Sequence, residues 1–393
     1  MNFKTDKFTL FIYAIALSLP FSLLGINIGI GVMKVMSALT IIYGYFFMWN
    51  QKQIILKNKI ILFLLIYPIL ISLNKLAGGF REVTDMFLIN QGYFAFVMPI
   101  GFVLGAKVEN WKLLLLQKKK LFIVGCVFFV SLSILNIIYK ISNIEFIDWS
   151  FFALFGIILM IWGAYNQNKQ LALLYLTMYI VVSFVVVKRH LLLYAAMHVF
   201  FFFLFFVVKN PKESLKAIFL VIISVFVLMV SDTILENNAS YHQYKTQSIE
   251  GMENKGLKNS RENFYDDFFS DLSFEEIVFG KGINGIYVSK ILGVERTGLE
   301  LGHLDYIMKI GIIPFLIMTF WSIRGIILSL TRSRNSFVKI CGITVLLHYG
   351  MMFTAFHINA TLLFFLFWMC LGASNSAALR KYSNQDIKDK ILV

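Results

Sequence analysis

The chain is 393 residues long, 59% of its residues are hydrophobic, 16% are aromatic and 15% are charged, and its mean hydropathy is +0.75. This composition excludes a water-soluble globular protein and is typical of an all-α polytopic membrane protein. The formal net charge of +14 does not indicate nucleic-acid binding, because the Lys and Arg residues lie in short clusters between apolar runs and form no continuous basic stripe.

Apolar runs along the chain predict the membrane-spanning helices. A spanning helix needs about 20 mainly apolar residues, and about twelve runs approach that length. In chain order the predicted helix cores are Phe8–Leu24, Val32–Trp49, Ile60–Leu73, Phe87–Gly105, Phe122–Tyr139, Trp149–Tyr165, Leu171–Val187, Leu191–Val208, Ala217–Val230, Leu304–Ile323, Val338–Phe353 and Ile358–Leu371. The first run is longer than a signal-peptide core, so we predict that it is retained as a helix.

Basic clusters predict how these helices are oriented. Cytoplasmic connections carry an excess of Lys and Arg, and a cytoplasmic N-terminus places nearly all the basic clusters on the inner side of the membrane. Both termini are therefore predicted to be cytoplasmic. In this topology residues 1–230 contain helices one to nine, and residues 231–302 form an external loop that carries the catalytic residues. Residues 303–393 contain helices ten to twelve and a cytoplasmic tail.

One basic cluster falls on the outer side in this threading. Lys188, Arg189 and His190 form the connection between the seventh and eighth predicted helices. Side chains that reach back to the interface from a helix end would explain the cluster. A charge near lipid costs about 2.5–3.5 kcal/mol on insertion scales, however, so a cluster that faces inward usually serves a ligand. We therefore predict an anion site that suits a diphosphate.

The external loop is the one long polar segment of the sequence. It has about 70 residues, and loops of that length in compact proteins are usually functional. Its middle part predicts a short amphipathic helix at the membrane surface, because apolar residues recur there at helical spacing. These residues are Phe264, Tyr265, Phe268, Phe269 and Leu272.

Two further features of the loop are candidates for substrate binding. Arg261 precedes the amphipathic helix, where a cation opposes the helix dipole, so its position favours function over structure. Gly280 and Gly282 belong to a glycine-rich turn whose backbone N–H groups can approach a ligand. The turn lacks the spacing and the strand context of a nucleotide-binding loop.

His303 lies where the loop enters the tenth predicted helix, three residues after Glu300. An imidazole there is expected to titrate near neutral pH, which makes it a candidate general base; a polar anchor at the interface is the alternative. Asp305 and Lys309 are four residues apart and are predicted to neutralise each other within the bundle. Polar anchoring is also the prediction for the remaining apolar-run histidines, His198, His348 and His357.

Neither a metal nor a cofactor is predicted. Cys126, Cys341 and Cys370 lie within apolar runs, without CxxC or Cys/His spacing. No Asp-x-Asp motif accompanies the outer arginines. Asp266 and Asp267 are adjacent and are predicted to form the solvent-exposed face of the amphipathic helix.

The order and spacing of these features resemble the O-antigen polymerase and O-antigen ligase superfamily. The resemblance is carried by Arg189 at the head of a helix, by Arg261 in a long outer loop with a Phe-Gly-Lys-Gly turn, and by Gly-His-Leu-Asp-Tyr from Gly302 onward. It covers Val181 to Pro314. Ligases commonly have Gly-His-Asn at the last element and Ser-Arg-Gly at the first, where this chain has Gly-His-Leu and Val-Lys-Arg-His. These departures favour a polymerase.

The resemblance implies a metal-independent membrane glycosyltransferase of the bacterial cytoplasmic (inner) membrane, with its active site on the outer face. Such an enzyme joins undecaprenyl-diphosphate-linked oligosaccharides, which serve as donor and acceptor, in O-antigen or capsular polysaccharide biosynthesis. Arg189 and Arg261 would bind the lipid diphosphate, with Lys188 and His190 beside them, and His303 would assist the attacking hydroxyl. Membrane lipid surrounds the enzyme, and a chain-length regulator protein would be a further partner.

The sequence leaves three alternatives open. An O-antigen ligase would transfer the lipid-linked glycan to the lipid A core and differs from a polymerase only in its acceptor. A lipid-linked oligosaccharide flippase or transporter predicts internal repeats and polar residues at mid-membrane, whereas the unusual charges collect at the outer interface. A receptor-like or structural membrane protein is the third alternative.

Overall fold

The structure is a computed structural model that describes residues 7–17, 42, 46, 49, 59–75, 100–139, 150–186, 189–209, 262–282, 285–289, 294–296, 301–353 and 362–392. These residues are mostly helical, which confirms the all-α class. Among them the only strands form a two-stranded antiparallel hairpin, β1 (Tyr287–Ser289) and β2 (Val294–Arg296). The hairpin belongs to the polar loop and was not predicted.

The first half of the chain supplies seven labelled helices among the described residues. They are α1 (Lys7–Leu17), α2 (Lys59–Lys75), α3 (Val108–Leu116), α4 (Lys118–Tyr139), α5 (Phe155–Tyr165), α6 (Lys169–Val186) and α7 (Arg189–Lys209). Residues 100–105 are also helical, and a 3₁₀ turn at Ser150–Leu154 leads into α5. Each except α3 lies within or close to a predicted helix core, and α3 lies in the predicted cytoplasmic connection between Gly105 and Phe122.

The second half begins with the polar loop and ends with the helices that carry the site. The loop contributes α8 (Glu262–Asp271) and α9 (Phe274–Phe279), and α8 coincides with the predicted amphipathic helix. The remaining helices are α10 (Gly302–Ile310), α11 (Ile312–Arg332), α12 (Ser336–Met352), α13 (Leu362–Asn375), α14 (Ala377–Lys381) and α15 (Asn384–Lys390).

The predicted number of membrane spans is not confirmed. Among the described residues one helix, α11, is long and apolar enough to cross a membrane, and the other apolar helices are shorter. Three predicted cores are wholly or mostly uncovered. Ala217–Val230 lies outside the described residues, Val32–Trp49 does so except at residues 42, 46 and 49, and Phe87–Gly105 is described only at residues 100–105. The structure therefore supports a helical bundle without fixing how many helices span.

The bundle core is formed by close helix crossings and large aromatic side chains. Helix α5 packs against α6 and α7, and α11, α12 and α13 pack against one another. Glycines allow the closest approach, as is usual between membrane helices. A Cβ at Gly105 would collide with the backbone of Met369, and one at Gly372 would collide with the backbone of Phe102, so α13 and the helical stretch at residues 100–105 touch through their main chains.

The described part of the polar loop has a small hydrophobic core of its own. Phe268 and Leu272 of α8, Tyr287 of β1, and Leu304 and Met308 of α10 are buried together. A Ser273–Glu276 capping box begins α9, which satisfies backbone donors at its N-terminus. Burial of this apolar surface holds the described loop elements against α10.

The tenth predicted helix, Leu304–Ile323, is wrong as a single element. The chain breaks at Gly311, which separates the nine-residue α10 from α11. Gly311 has φ 85° and ψ 168°, a conformation that is essentially restricted to glycine. Gly280 faces it with φ 84° and ψ 160°. A Cβ on Gly280 would lie 2.7 Å from the nitrogen of Gly311, so the polar loop contacts the helix break through two glycines.

The C-terminal residues dock on the bundle. The side chain of Asn335 donates to the carbonyls of Leu379 and Tyr382 at 2.8 and 2.9 Å. Asn384 accepts hydrogen bonds from the Tyr165 hydroxyl and from the Ser336 backbone N–H. These bonds fix the connection between α11 and α12 to the predicted cytoplasmic tail.

Candidate functional site

His303 lies at the junction between the polar loop and the helical bundle. It occupies the first turn of α10, a helix whose residues are all buried, and its own exposed fraction is 5%. The neighbouring chain segments are α8 of the loop and the C-terminal end of α12. The position agrees with the expected one at the start of the tenth predicted helix.

Hydrogen bonds to both ring nitrogens define the state of the His303 imidazole. Nδ1 lies 3.3 Å from the carbonyl oxygen of Met352, and Nε2 lies 3.0 Å from the hydroxyl of Tyr265. A carbonyl can only accept, so Nδ1–H donates and Nε2 of the neutral ring accepts from the phenol. Met352 ends α12, and its carbonyl lacks a partner within the helix. His303 therefore caps α12 and directs a basic nitrogen toward the loop.

Aromatic rings enclose the imidazole. The ring of Phe353 stacks on it with a centroid separation of 4.5 Å and an interplanar angle of 25°, and the Tyr265 ring lies 5.7 Å away. Burial lowers the pKa of His303 below its ordinary value of 6.5, and the hydrogen bond to Met352 opposes this shift. The neutral, basic form is thus favoured at neutral pH.

The predicted pairing of Asp305 with Lys309 is confirmed. Lys309 Nζ lies 2.8 Å from Asp305 Oδ2, and both side chains are buried. Removal of two charges from water is costly unless they neutralise each other. The two charges therefore cancel, and the part of α10 that follows His303 carries no net charge.

The glycine turn packs against the end of α10. The backbone N–H groups of Lys281 and Gly282 donate to the carbonyls of Met308 and Lys309 at 2.6 and 3.0 Å, and Gly280 N–H donates to Glu276. These donors satisfy the last carbonyls of α10. Gly280 and Gly282 therefore dock the turn on the helix and present no free N–H to an anion in this arrangement.

The side chain of Lys281 is also held within the loop. Its ammonium lies 3.0 Å from Asp271 Oδ2, 3.1 Å from the carbonyl of Ile286 and 4.0 Å from Glu276 Oε1. The same Asp271 oxygen accepts from the backbone N–H of Val288. These contacts join α8 to β1 and keep the loop elements in place beside His303.

The predicted anion-binding residues are only partly within the described residues. Arg189 is the first residue of α7 and His190 the second, as expected for a cluster at a helix head, and the backbone is the part of each that is described. Lys188 and Arg261 lie outside the described residues. Of the three predicted catalytic residues, His303 is therefore the one whose side chain the structure describes.

Tyr265 is a site residue that the sequence reasoning missed. Its helical spacing placed it on the apolar face of the amphipathic helix, together with Phe268. The structure buries Phe268 completely but leaves Tyr265 37% exposed, with its hydroxyl on His303. The signal was the one tyrosine among the aromatic residues of this helix, with Phe264, Phe268 and Phe269, because a buried or half-buried tyrosine hydroxyl usually has a hydrogen-bond partner.

A second polar cluster lies inside the bundle. The Tyr194 hydroxyl is 3.1 Å from Nδ1 of His348, and His198 Nδ1 donates to the backbone carbonyl of Tyr194 at 2.8 Å. All three residues are buried, and the His198 ring fills the space beside Gly156. Anchoring at the membrane interface stays a prediction for the two histidines, and His357 lies outside the described residues. In the part of the chain that is described, no group of three or more His, Cys, Asp or Glu side chains could hold a metal ion.

Comparison with known proteins gives no relative. The sequence matches no protein-family model, and no curated protein and no solved structure matches it.

Proposed function

We propose that this protein is a polysaccharide polymerase of the bacterial cytoplasmic membrane that joins undecaprenyl-diphosphate-linked oligosaccharides on the outer face. The acceptor hydroxyl oxygen forms a bond to the anomeric carbon of the donor glycan. The bond from that carbon to the diphosphate oxygen breaks, and its electron pair leaves with undecaprenyl diphosphate. The acceptor proton passes to His303 Nε2 and then to solvent.

The observation that best supports this proposal is the arrangement of His303. Its Nε2 is an unprotonated nitrogen that already accepts a hydrogen bond from a hydroxyl, at 3.0 Å. That is the geometry a general base needs toward the hydroxyl that it deprotonates. The Met352 carbonyl accepts from Nδ1–H, which favours the tautomer that leaves Nε2 unprotonated. Burial keeps the pKa of His303 low enough for the ring to be neutral.

The location in a membrane is supported by the exposed faces of the described helices. Along α11 the exposed apolar residues recur every three or four positions, which is the spacing of one helix face. They are Ile313, Leu316, Phe320, Ile323, Ile327 and Leu330. Helix α7 has a similar face, with Leu193, Met197, Phe200 and Leu204 exposed. Soluble monomers rarely expose apolar patches of this extent, whereas lipid tails would cover them.

The assignment of the diphosphate site rests on the resemblance. Two guanidinium groups can bind the departing diphosphate bidentately and offset the charge that develops on it. Arg189 begins α7, and Arg261 immediately precedes α8. Helix α8 also carries Tyr265, which contacts His303. Arg261 lies four residues before Tyr265 in the sequence, and the proposed reaction needs its guanidinium group close to His303.

Deletion of the gene, followed by gel analysis of the surface glycan, tests the proposal. A polymerase deletion leaves chains that carry a single repeat. Loss of lipid-A-attached polymer with retention of lipid-linked polymer would instead identify a ligase. An unchanged surface glycan would contradict both.

A further inference from the structure

We propose that the space beside His303 Nε2 and Phe353, which the Tyr265 phenol now fills, is the subsite for the acceptor sugar hydroxyl, and that the phenol occupies this subsite until the acceptor displaces it. The inference deepens the proposed function and rests on it for the identity of the acceptor. The position of the phenol, however, can be tested separately from any polymerase activity.

The first step of the argument is the capacity of His303 Nε2. A neutral imidazole nitrogen without a proton has one lone pair in the plane of the ring and accepts one good hydrogen bond. The hydroxyl of Tyr265 uses it at 3.0 Å. A sugar hydroxyl that gives its proton to Nε2 must approach along the same direction. The phenol and the acceptor hydroxyl therefore exclude each other.

The second step is that the phenol can leave without disrupting the fold. Helix α8 is anchored by Phe268, which is fully buried, and by Leu272, which is 6% exposed. Tyr265 lies one turn before Phe268 and is 37% exposed, so a change of its side-chain rotamer has room on the solvent side. The hydrogen bond that is lost to the phenol is replaced by one from the acceptor.

The third step is the shape and chemistry of the walls. Phe353 stacks on the His303 ring and is 41% exposed, and it stays in place when the Tyr265 ring and hydroxyl rotate away together. Aromatic faces attract the weakly positive C–H groups of an apolar ligand surface, and one face of a pyranose ring is such a surface. A hydrogen-bond acceptor beside an aromatic wall is typical of a sugar subsite, in which a few polar groups fix the orientation of the ligand.

The arrangement also explains how the base is protected when no acceptor is bound. An unpaired buried nitrogen would be unfavourable, and the phenol satisfies it with a group of the same class as the substrate hydroxyl. The exchange of one O–H···N bond for another is close to neutral in free energy. The phenol therefore fills the subsite without blocking an acceptor that brings further contacts.

Acylation by diethyl pyrocarbonate tests the position of the phenol in the purified full-length protein. The reagent attacks the unprotonated imidazole nitrogen, and mass spectrometry reports the rate at each histidine. In the wild type, His303 should react slowly. Tyr265→Ala should raise the His303 rate at least about 10-fold, and Tyr265→Phe, which keeps the ring but frees the lone pair, should give an intermediate rate.

His198 and His348 are built-in controls, because both are fully enclosed in the bundle and should stay unreactive in every variant. If they become reactive in Tyr265→Ala, that variant has lost its fold, and Tyr265→Phe then decides. A His303 rate equal to that of the wild type in a variant whose controls stay unreactive would overturn the proposal.

A second arm tests the identity of the ligand. Lipid-linked repeats extracted from cells that lack the gene should slow the acylation of His303 in Tyr265→Phe at least about 5-fold. No protection by the repeats would overturn the assignment of the subsite to the acceptor. Failure of the proposed function is seen differently, as absence of elongation when the wild-type protein is incubated with the same repeats.

Discussion

His303 is held by two parts of the chain that lie far from it in sequence, Tyr265 in the polar loop and Met352 at the end of α12. A hydrogen bond on each nitrogen leaves little freedom for the ring to rotate or to change tautomer. This geometry fits a base that has to meet a hydroxyl in one direction. It also fits a helix cap, and substitution separates the two roles.

The substitution His303→Gln should lower turnover about 100-fold or more, because the amide keeps size and hydrogen-bonding capacity but has no basic nitrogen. The measurement is the initial rate of elongation with lipid-linked repeats. The amount of folded protein in the membrane should stay close to that of the wild type. If Gln is nearly as active, and an apolar replacement such as His303→Leu lowers the folded yield, anchoring is the role of this residue.

The rate should also depend on pH in a way that follows from the His303 pKa. Burial lowers that pKa below 6.5, and only the neutral ring accepts a proton. The rate of elongation should therefore be constant near neutral pH. It should fall only below pH 6.5, as the pH passes through the lowered pKa of His303 in the folded protein. The stability of the fold should change in the same direction. As the pH falls below the His303 pKa of the unfolded chain, the unfolded chain binds a proton before the folded protein does, so the folded state loses stability on acidification. A pH profile of elongation that is unchanged in an active His303→Gln variant would remove the residue from the mechanism.

At the residue scale the sequence located His303 but not its neighbours. The histidine could be found because it stands where a polar loop meets an apolar run. Its bonds to Tyr265 and Met352 join residues 38 and 49 positions away, and periodicity carries no information about contacts over such distances. The pairing of Asp305 with Lys309 was predictable because the two residues lie one helical turn apart.

The contact between the glycine turn and the break after α10 is the element-scale feature that positions His303. Gly311→Ala should destabilise the protein by about 1–3 kcal/mol for the backbone conformation alone. The added Cβ would also collide with the carbonyl oxygen of Val278. Thermal unfolding in detergent measures the loss.

Gly350→Ala is the matched control for this substitution. Gly350 lies within α12, and a Cβ there would meet nothing within 4 Å. Alanine is also the better helix former, so stability should stay the same or rise. Equal stability of the two alanine variants would contradict the close approach of the loop to the helix break.

The ion pair on α10 gives a second prediction at this scale. Lys309→Met leaves the carboxylate of Asp305 buried without its ammonium partner and should cost about 3–5 kcal/mol, and Asp305→Leu should cost a similar amount. The double substitution should cost less than either single one, because it removes both buried charges together. Unfolding of the four proteins in denaturant gives the cycle, and additive losses would contradict a direct pairing.

The break at Gly311 shows why an apolar run predicts the existence of helix but not its continuity. Leu304–Ile323 is apolar apart from Asp305 and Lys309, and no change in hydropathy marks the break at Gly311. The local signal was Gly311 followed by Pro314, a combination of a residue that tolerates positive φ and one that favours the first turn of a helix. The hairpin β1–β2 has strands of three residues each, which are too short for a reliable alternation pattern.

At the scale of the whole molecule, composition predicted the helical class, and the apolar runs predicted where most of the described helices lie, though not α3, α9, α14 or α15. They could not fix the number of spans, because several described apolar helices are shorter than a bilayer core requires. Length depends on how far each helix extends into its flanks, which hydropathy does not determine. The packing of α14 and α15 against the bundle also depends on side-chain hydrogen bonds, such as those of Asn335.

The orientation of the chain leads to a labelling prediction. The basic clusters predict that the polar loop is outside and the C-terminal tail inside. A cysteine introduced at Ser248 should react with an impermeant maleimide in intact spheroplasts, and one at Ser383 should react only after the membrane is opened. The reverse pattern would contradict the threading and, with it, an active site on the outer face.

The most direct test of the central claim is elongation by the purified protein. Single-repeat lipid-linked oligosaccharides extracted from cells that lack the gene are added to proteoliposomes that contain the wild-type protein, Arg189→Ala, Arg261→Ala or His303→Gln. The account predicts a ladder of lipid-linked polymers with release of undecaprenyl diphosphate for the wild type, and little or none for the three variants. A wild-type protein that consumes no repeats and releases no undecaprenyl diphosphate would contradict it.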